Sequence, residues 1–153
     1  MAGFSIETWI RGSQCGQGGL LQPDRYFELV NQVVEEWFAQ GLALSFAELH
    51  FERRIGVPAG ELSLRLHAPV VRGERIRLCL QVARLGNRTV ELHISASCNA
   101  APRFEANAVL VMADLSAPVL RSHPIPPPLR ARMAAFDQVR GSHDPAVPRE
   151  LER

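Results

Sequence analysis

A polar, glycine-rich segment near the N-terminus carries the residues of this chain that are best suited to chemistry on a carbonyl group. Its sequence, Ser-Gln-Cys-Gly-Gln-Gly-Gly, contains one thiol, Cys15, and two carboxamides, Gln14 and Gln17. A thiolate attacks a carbonyl carbon, whereas a carboxamide orients a water molecule but cannot deprotonate it. The segment has no acid of its own, because no carboxylate occurs between Glu7 and Asp24. It therefore provides a nucleophile or a held water, but no base.

Two secondary-structure elements flank this segment and would fix its position. Before it, residues 4–11 alternate apolar and polar side chains, a pattern that predicts a strand ending before Gly12. After it, Pro23 and Asp24 suit the first turn of a helix, and Gly41 supplies its end. Two adjoining apolar stripes run along this helix, so we expect a sheet to cover most of it.

The rest of the chain is dominated by strand patterns. Strands are expected at residues 61–67, 75–82, 90–96 and 106–114, with turns at 71–74, 85–88 and 99–102. This order predicts an antiparallel meander that follows one long helix. Less regular segments are interpreted as a helical turn and extended link at 43–55, an extended Pro-rich segment at 123–128 and a short helix at 129–136. Residues 137–153 are polar and Pro-punctuated and are expected to be disordered, which leaves one domain at residues 1–136.

Composition narrows the class of protein. A length of 153 residues with 46% hydrophobic residues suffices for one core, and a net charge of +1 argues against nucleic acid as the main partner. No apolar run approaches the roughly 18 to 20 residues of a membrane span. The three cysteines have no CxxC spacing and no two His occur at metal-ligand spacing, so neither a disulfide framework nor a metal site is predicted. We expect a soluble protein of the reducing cytoplasm.

The glycine-rich segment and the helix start also match the pattern of a known family. The 4-hydroxybenzoyl-CoA thioesterases carry Asp-Cys-Asp-x-x-Gly after the first strand and an aromatic pair where the central helix starts. The matching residues here are Gln14-Cys15-Gly16-Gln17-Gly18-Gly19 and Tyr26-Phe27, with further matches at Gly56-Val57-Pro58, His67-Ala68-Pro69, Gly73-Glu74 and Arg88-Thr89. The sequence thus resembles this family of hotdog-fold enzymes. The resemblance implies an α+β hotdog fold, with an antiparallel sheet wrapped around one long central helix.

The resemblance implies roles for several residues of the segment. In the family, the second Asp attacks the thioester carbonyl or activates water, and a backbone N–H at the helix start receives the oxyanion. One alignment register places Gly16 at that Asp and Pro23 at the oxyanion position, although proline has no N–H. The other register places Cys15 at the Asp and Gln22 at the oxyanion position. Gln22 N–H is therefore the preferred donor.

The resemblance implies that the nucleotide end of coenzyme A binds at the predicted hairpin between the strands at 75–82 and 90–96. Asn87, Arg88 and Thr89 occupy the turn that meets the nucleotide phosphates of coenzyme A in the family. An Arg guanidinium suits phosphate oxygens because it donates two parallel hydrogen bonds. A solvated turn explains the same three residues equally well.

Three substitutes for the missing acid stay open. The thiolate of Cys15 is one, and a water held by Gln14 or Gln17 is a second. A base from a partner subunit is the third, with these candidates: Glu35, Glu48, Glu61 and His50. The ordinary interpretation of His67 and His93 is that they are structural or interface residues, because both lie within strand patterns.

The resemblance implies hydrolysis of an acyl-CoA or acyl-carrier-protein thioester, with coenzyme A present only as part of the substrate and no separate cofactor. The alternative is a catalytically silent module that binds acyl thioesters or serves in assembly. A hotdog hydratase or dehydratase is a weaker hypothesis, because the sequence does not show the Asp/His pair that such enzymes place around the central helix. A homodimer or homotetramer is expected, since the family completes each acyl site between two subunits.

Overall fold

One long helix lies against a five-stranded antiparallel sheet. The computed structural model describes residues 3–137. Its strands are β1 Phe4–Trp9, β2 Ile55–Gly56, β3 Ala59–Leu66, β4 Arg75–Leu85, β5 Thr89–Cys98, β6 Ala101–Val111, β7 Ala113–Asp114 and β8 Arg121–Ser122. The α-helices are α1 Pro23–Glu36, continued by a π-helical turn at Trp37–Gly41, and α2 Pro127–Ala134; a 3-10 turn at Gly12–Gln14 and a π-helical turn at Glu48–Glu52 complete the elements.

The strand order corrects the predicted meander in one respect. The sheet runs β1-β4-β5-β6-β3, so β4, β5 and β6 form a meander, but β3 pairs with β6 and not with β4. The connection from β3 to β4 does not form a hairpin because it packs at the start of α1. There the Val70 amide donates to the Tyr26 hydroxyl at 3.1 Å, and the Val70 carbonyl accepts the Leu21 amide at 2.8 Å.

The core lies between α1 and the inner face of the sheet. The two apolar stripes of the helix and its π-helical extension are buried, as expected: Tyr26, Leu29, Val30, Val33, Val34, Trp37 and Phe38. The facing side chains alternate along the strands, and the buried members include Ile76, Leu78, Leu80, Val82, Leu92, Ile94, Phe104 and Ala106. Gly41 is needed at the helix end, since a Cβ there would lie 2.8 Å from Trp37 Cδ1.

A second, small sheet of order β2-β7-β8 packs beside the end of the main sheet. Its first strand, β2, begins at the end of the segment interpreted as a helical turn and extended link, in which the helical turn is Glu48–Glu52, whereas β7 and β8 follow β6. The helix predicted at 129–136 is present two residues earlier as α2, Pro127–Ala134, so the extended Pro-rich segment ends before Pro127. Asp137, expected to open a disordered tail, forms a β-bridge with Val82; the rest of that prediction, 138–153, lies outside the described residues. Within 3–137, no helix has both the length and the apolar character that crossing a membrane requires.

Candidate active site

The glycine-rich segment forms a compact loop that is closed by its own hydrogen bonds. The Gln14 side-chain oxygen accepts the Arg11 amide at 2.8 Å, and the Gly16 amide donates to the Leu20 carbonyl at 2.9 Å. The turn back toward α1 passes through Gly18 and Gly19, whose φ values of 89° and 77° are unfavourable for other residues. The loop therefore has a defined shape, which the two glycines make possible.

The Gln22 amide is not free to receive an oxyanion. It donates to the Gln14 carbonyl at 3.1 Å, and this bond holds the end of the loop against its beginning. The predicted oxyanion role of Gln22 N–H stays a prediction, and it would require this bond to Gln14 to break before the amide could donate to a substrate oxygen. Gln14 closes the loop through both its side chain and its carbonyl, so its contribution is structural and only its side-chain NH₂ group remains for a substrate or water.

The backbone amide of Asp24 is a candidate oxyanion donor that the sequence reasoning missed. Pro23, the first residue of α1, has no N–H, and the Arg25 amide donates to the Gln22 carbonyl at 2.9 Å. Across the described residues 3–137, no group accepts a hydrogen bond from Asp24 N–H. A free amide at a helix N-terminus stabilises negative charge. The signal was present in the sequence, because a proline at the first helical position moves the first usable donor to the next residue.

The other loop residues divide into one half-buried and two exposed positions. Cys15 is half-buried, packs against the core and forms a β-bridge with Leu21. Gly16 and Gln17 are exposed, and a Cβ built on Gly16 would meet no atom within 4 Å. The structure thus brings Gln14, Cys15, Gly16 and Gln17 together around the start of α1. Of these four residues, only Gln17 combines a polar side chain with an exposed position.

The predicted phosphate hairpin lies far from this loop in the same chain. The loop lies at the N-terminal end of β4, where the Ile10 amide donates to the Glu74 carbonyl. Residues 87–89 follow the C-terminal end of the same strand. The 11 residues of β4 span about 30 Å. Arg88 donates to the Ser122 carbonyl at 2.8 Å and to its hydroxyl at 3.2 Å. One protomer therefore does not bring loop and hairpin together, and Arg88 holds β8 in place.

The four partner-base candidates occupy three kinds of environment. Glu35 lines a narrow cleft of ≈ 70 Å³ between α1 and β3, whose walls are mainly apolar. It lies eleven residues beyond Asp24 on the same helix, roughly 16 Å along the axis. Glu48 exchanges hydrogen bonds with Ser45, whereas His50 and Glu61 are exposed. Glu35 is therefore the acid nearest to an apolar cleft, but it cannot reach the loop of its own chain.

A polar cluster on the outer face of the sheet is separate from the loop. Glu105 accepts from His67 Nε2 at 2.7 Å and lies 3.4 Å from His93 Nε2. The hydrogen bond from His67 lowers the pKa of the Glu105 carboxyl. An open groove lined by His67, Ser95 and Glu105 runs beside the cluster. In the described part of the chain, no three His, Cys, Asp or Glu side chains group as a metal site requires.

Comparison with solved structures identifies the architecture. A 1,4-dihydroxy-2-naphthoyl-CoA thioesterase from Synechocystis matches with a TM-score of 0.78 at 17% identity, covering 86% of this chain and 96% of that one. The 4-hydroxybenzoyl-CoA thioesterase from Pseudomonas gives 0.79 at 13% identity, over 85% and 98%. A gentisyl-coenzyme A thioesterase gives 0.76 at 15% identity, over 85% and 99%. The chain has the hotdog fold.

This result confirms the α+β fold implied by the sequence. No protein-family model matches the sequence, and no curated protein matches it significantly. At these low identities the structural likeness carries the fold alone, and the roles of individual loop residues rest on the geometry above. The hotdog neighbours show that a strand, loop and central helix in this arrangement occur in enzymes that act on acyl-CoA thioesters.

Proposed function

We propose that this protein hydrolyses the thioester bond of an acyl-CoA or acyl-carrier-protein at the loop that precedes α1. The observation that carries the proposal is the unoccupied Asp24 amide at the helix N-terminus, next to a loop that presents Gln17 to solvent. The hotdog neighbours that act on acyl-CoA support the substrate class. The thioester is the substrate, so no further cofactor is required.

The chemistry requires stabilisation of one developing charge. Water adds to the thioester carbonyl carbon, its proton passes to solvent, and the carbonyl oxygen becomes an oxyanion. Asp24 N–H, reinforced by the positive end of α1, donates to that oxygen. The tetrahedral intermediate collapses with cleavage of the C–S bond, and the leaving thiolate is protonated as the carboxylic acid ionises.

Gln17 orients the attacking water in this scheme, and the Gln14 NH₂ group assists. A carboxamide holds water by accepting one hydrogen bond, but it does not remove the proton. The expected enzyme is therefore slower than one that has a loop carboxylate, or it acts on a thioester with an activated carbonyl. Cys15 is less suited to direct attack because it packs against the core.

Turnover by the purified protein tests the proposal. A panel of acyl-CoA and acyl-carrier-protein thioesters is incubated with the protein, and released thiol is followed with a chromogenic disulfide. Gln17→Ala should lower kcat, whereas Gln40→Ala, a change at another exposed glutamine on the π-helical turn, should leave it unchanged. Absence of thiol release above the buffer rate for every thioester would remove hydrolysis as the function.

The alternative function is a silent hotdog module that binds acyl thioesters without turning them over. The observation in its favour is the lack of a carboxylate in the loop together with the open Gly16 position. Tight binding of acyl-CoA without thiol release would support this function. Measurable turnover that depends on Gln17 would end it.

A second copy of this chain is the proposed partner. The edge strand β3 leaves two inner-face leucines uncovered, Leu62 with 36% and Leu66 with 49% of its surface exposed. Its outer edge pairs with no other strand of the described residues, so an identical strand can extend the sheet. Light scattering should give at least a dimer, and Leu66→Glu should shift the mass toward the monomer. A monomeric wild type would reject this assembly.

A further inference from the structure

Arg72 lies across the glycine-rich loop. Its amide donates to the Gly19 carbonyl at 2.8 Å, and its Cβ lies 3.8 Å from the position that a Cβ of Gly19 would take. Its Cδ comes within 3.2 Å of the corresponding position at Gly12, and its Nη1 within 4.0 Å. The two glycines thus form a flat surface along which the Arg72 side chain runs. A Cβ at Gly12 would require the Arg72 stem to shift by a few tenths of an ångström.

The Arg72 guanidinium has no anionic partner in the part of the chain that the structure describes. Two acids at this end of the sheet are engaged with other arginines. Glu74 pairs with Arg103 at 2.6 Å, and Glu7 pairs with Arg75. Because the loop contributes no carboxylate, the positive charge of Arg72 has no counter-charge within the loop.

We propose that Arg72 binds an anionic oxygen group of the thioester substrate. This inference rests on the proposed function, and it assigns to the loop side of the molecule the anion recognition that the sequence assigned to Arg88. A planar guanidinium matches a carboxylate or a phosphate with two parallel hydrogen bonds. Two sources carry such a group: a carboxylate on the acyl chain, and the phosphates of coenzyme A or of the carrier-protein arm.

The role of Arg72 in this proposal is recognition, because its charge selects the substrate and does not enter the bond-breaking step. Exposed ion pairs contribute little, but Arg72 is held by its backbone bond to Gly19 and by the glycine surface, so less side-chain freedom is lost on binding. Arg88 differs, since its guanidinium already donates to Ser122. We therefore expect loss of the Arg72 guanidinium to weaken substrate binding and loss of the Arg88 guanidinium to leave it unchanged.

Binding of non-hydrolysable thioether analogues tests the proposal independently of turnover. Four analogues separate the sources: a neutral acyl group or a carboxylate-bearing one, each on coenzyme A or on phosphate-free pantetheine. Calorimetry with the full chain should show that Arg72→Gln weakens the anionic analogues by roughly tenfold or more and leaves the neutral pantetheine analogue unchanged. If affinity falls only for the two carboxylate-bearing analogues, Arg72 binds the acyl chain. If affinity falls only for the two coenzyme A analogues, Arg72 binds the phosphates.

Two further variants keep the test specific. Arg53→Gln removes another exposed arginine, at the end of the Glu48–Glu52 turn, and should leave all four dissociation constants unchanged. Gly12→Ala retains every charge but crowds the Arg72 stem, and it should reproduce part of the loss. A melting temperature equal to that of the wild type shows that each variant folds.

Specific outcomes would overturn the inference. The first is that wild type and Arg72→Gln have equal dissociation constants for all anionic analogues. The second is that Arg72→Gln loses as much affinity for the neutral pantetheine analogue as for the anionic ones. The third is that the wild type binds no anionic analogue. Failure of the proposed function looks different. There, thiol release is absent while the dependence of anion binding on Arg72 persists.

Discussion

The sharpest test of the loop assignment is to restore the acid that it lacks. Gly16→Asp is sterically feasible, because a Cβ at Gly16 meets no atom within 4 Å and its backbone is outside the left-handed region. Replacing glycine where the backbone permits it stabilises a protein by about 0.4–1 kcal/mol, and an acid near a helix N-terminus adds about 0.3–1 kcal/mol. The variant should therefore be at least as stable as the wild type.

The expected gain in rate follows from the chemistry of a positioned carboxylate. A general base or nucleophile in this position contributes roughly 10²- to 10⁴-fold, equivalent to about 3–5 kcal/mol of activation free energy. Thiol release from the best thioester of the panel should rise in kcat by a factor in that range. Gly16→Asn is the matched control, because it has the same shape without the charge and should give no such rise.

Two comparison variants test whether the position of the added acid matters and which alignment register applies. Gly18→Asp adds the same charge two residues further on, where φ is 89°, and should not accelerate hydrolysis. Cys15→Asp tests the alternative register, although it places a carboxylate against the core and should lower the melting temperature. If folded Gly16→Asp and Gly16→Asn turn over at the same rate, the loop geometry does not place Gly16 beside the thioester, and the reasoning fails.

Three further predictions concern the oxyanion site, the core and the outer face. Asp24→Asn keeps the backbone N–H and should leave kcat within about threefold in the Gln17 scheme; a loss of a hundredfold in the thiol assay would instead make this carboxylate the base. Gly41→Ala should reduce the free energy of unfolding by about 1–3 kcal/mol in urea titrations, since the new Cβ meets Trp37 at 2.8 Å; an unchanged midpoint would mean that the indole moves freely. His67→Gln should cost less than about 1 kcal/mol at neutral pH, because both partners are over a third exposed. The pKa of Glu105 is lowered in the folded state, so its contribution to stability is present above the ordinary Glu pKa and is lost as the pH falls through the lowered one; a deficit for His67→Gln that persists in full well below the lowered pKa would contradict this sign.

The sequence predicted local structure well because the relevant signals are local. Alternation over residues 75–82 and 90–96 reports which face of a strand is buried, and the proline at position 23 reports a helix start. The edge position of β3 was not predictable in this way, since period-two alternation is the same whichever strand becomes the neighbour. The occupied Gln22 amide was likewise hidden, because its acceptor on Gln14 depends on how the loop closes. Pairing across a fold is a non-local property, and residue patterns carry no direct record of it.

The missing acid and the uncompensated arginine are two consequences of one loop composition. Gly19 connects them, since its amide donates to the Gly16 carbonyl at 3.1 Å and its carbonyl accepts the Arg72 amide at 2.8 Å. A carboxylate added at Gly16 would therefore stand in the same hydrogen-bonded loop that Arg72 lies across, and opposite charges in one loop attract. Gly16→Asp should weaken binding of anionic thioether analogues while it accelerates hydrolysis of neutral thioesters, and this opposition should shrink when Arg72→Gln is added. If both properties rise together, the two groups act on different parts of the molecule and the loop does not exchange a base for an anion site.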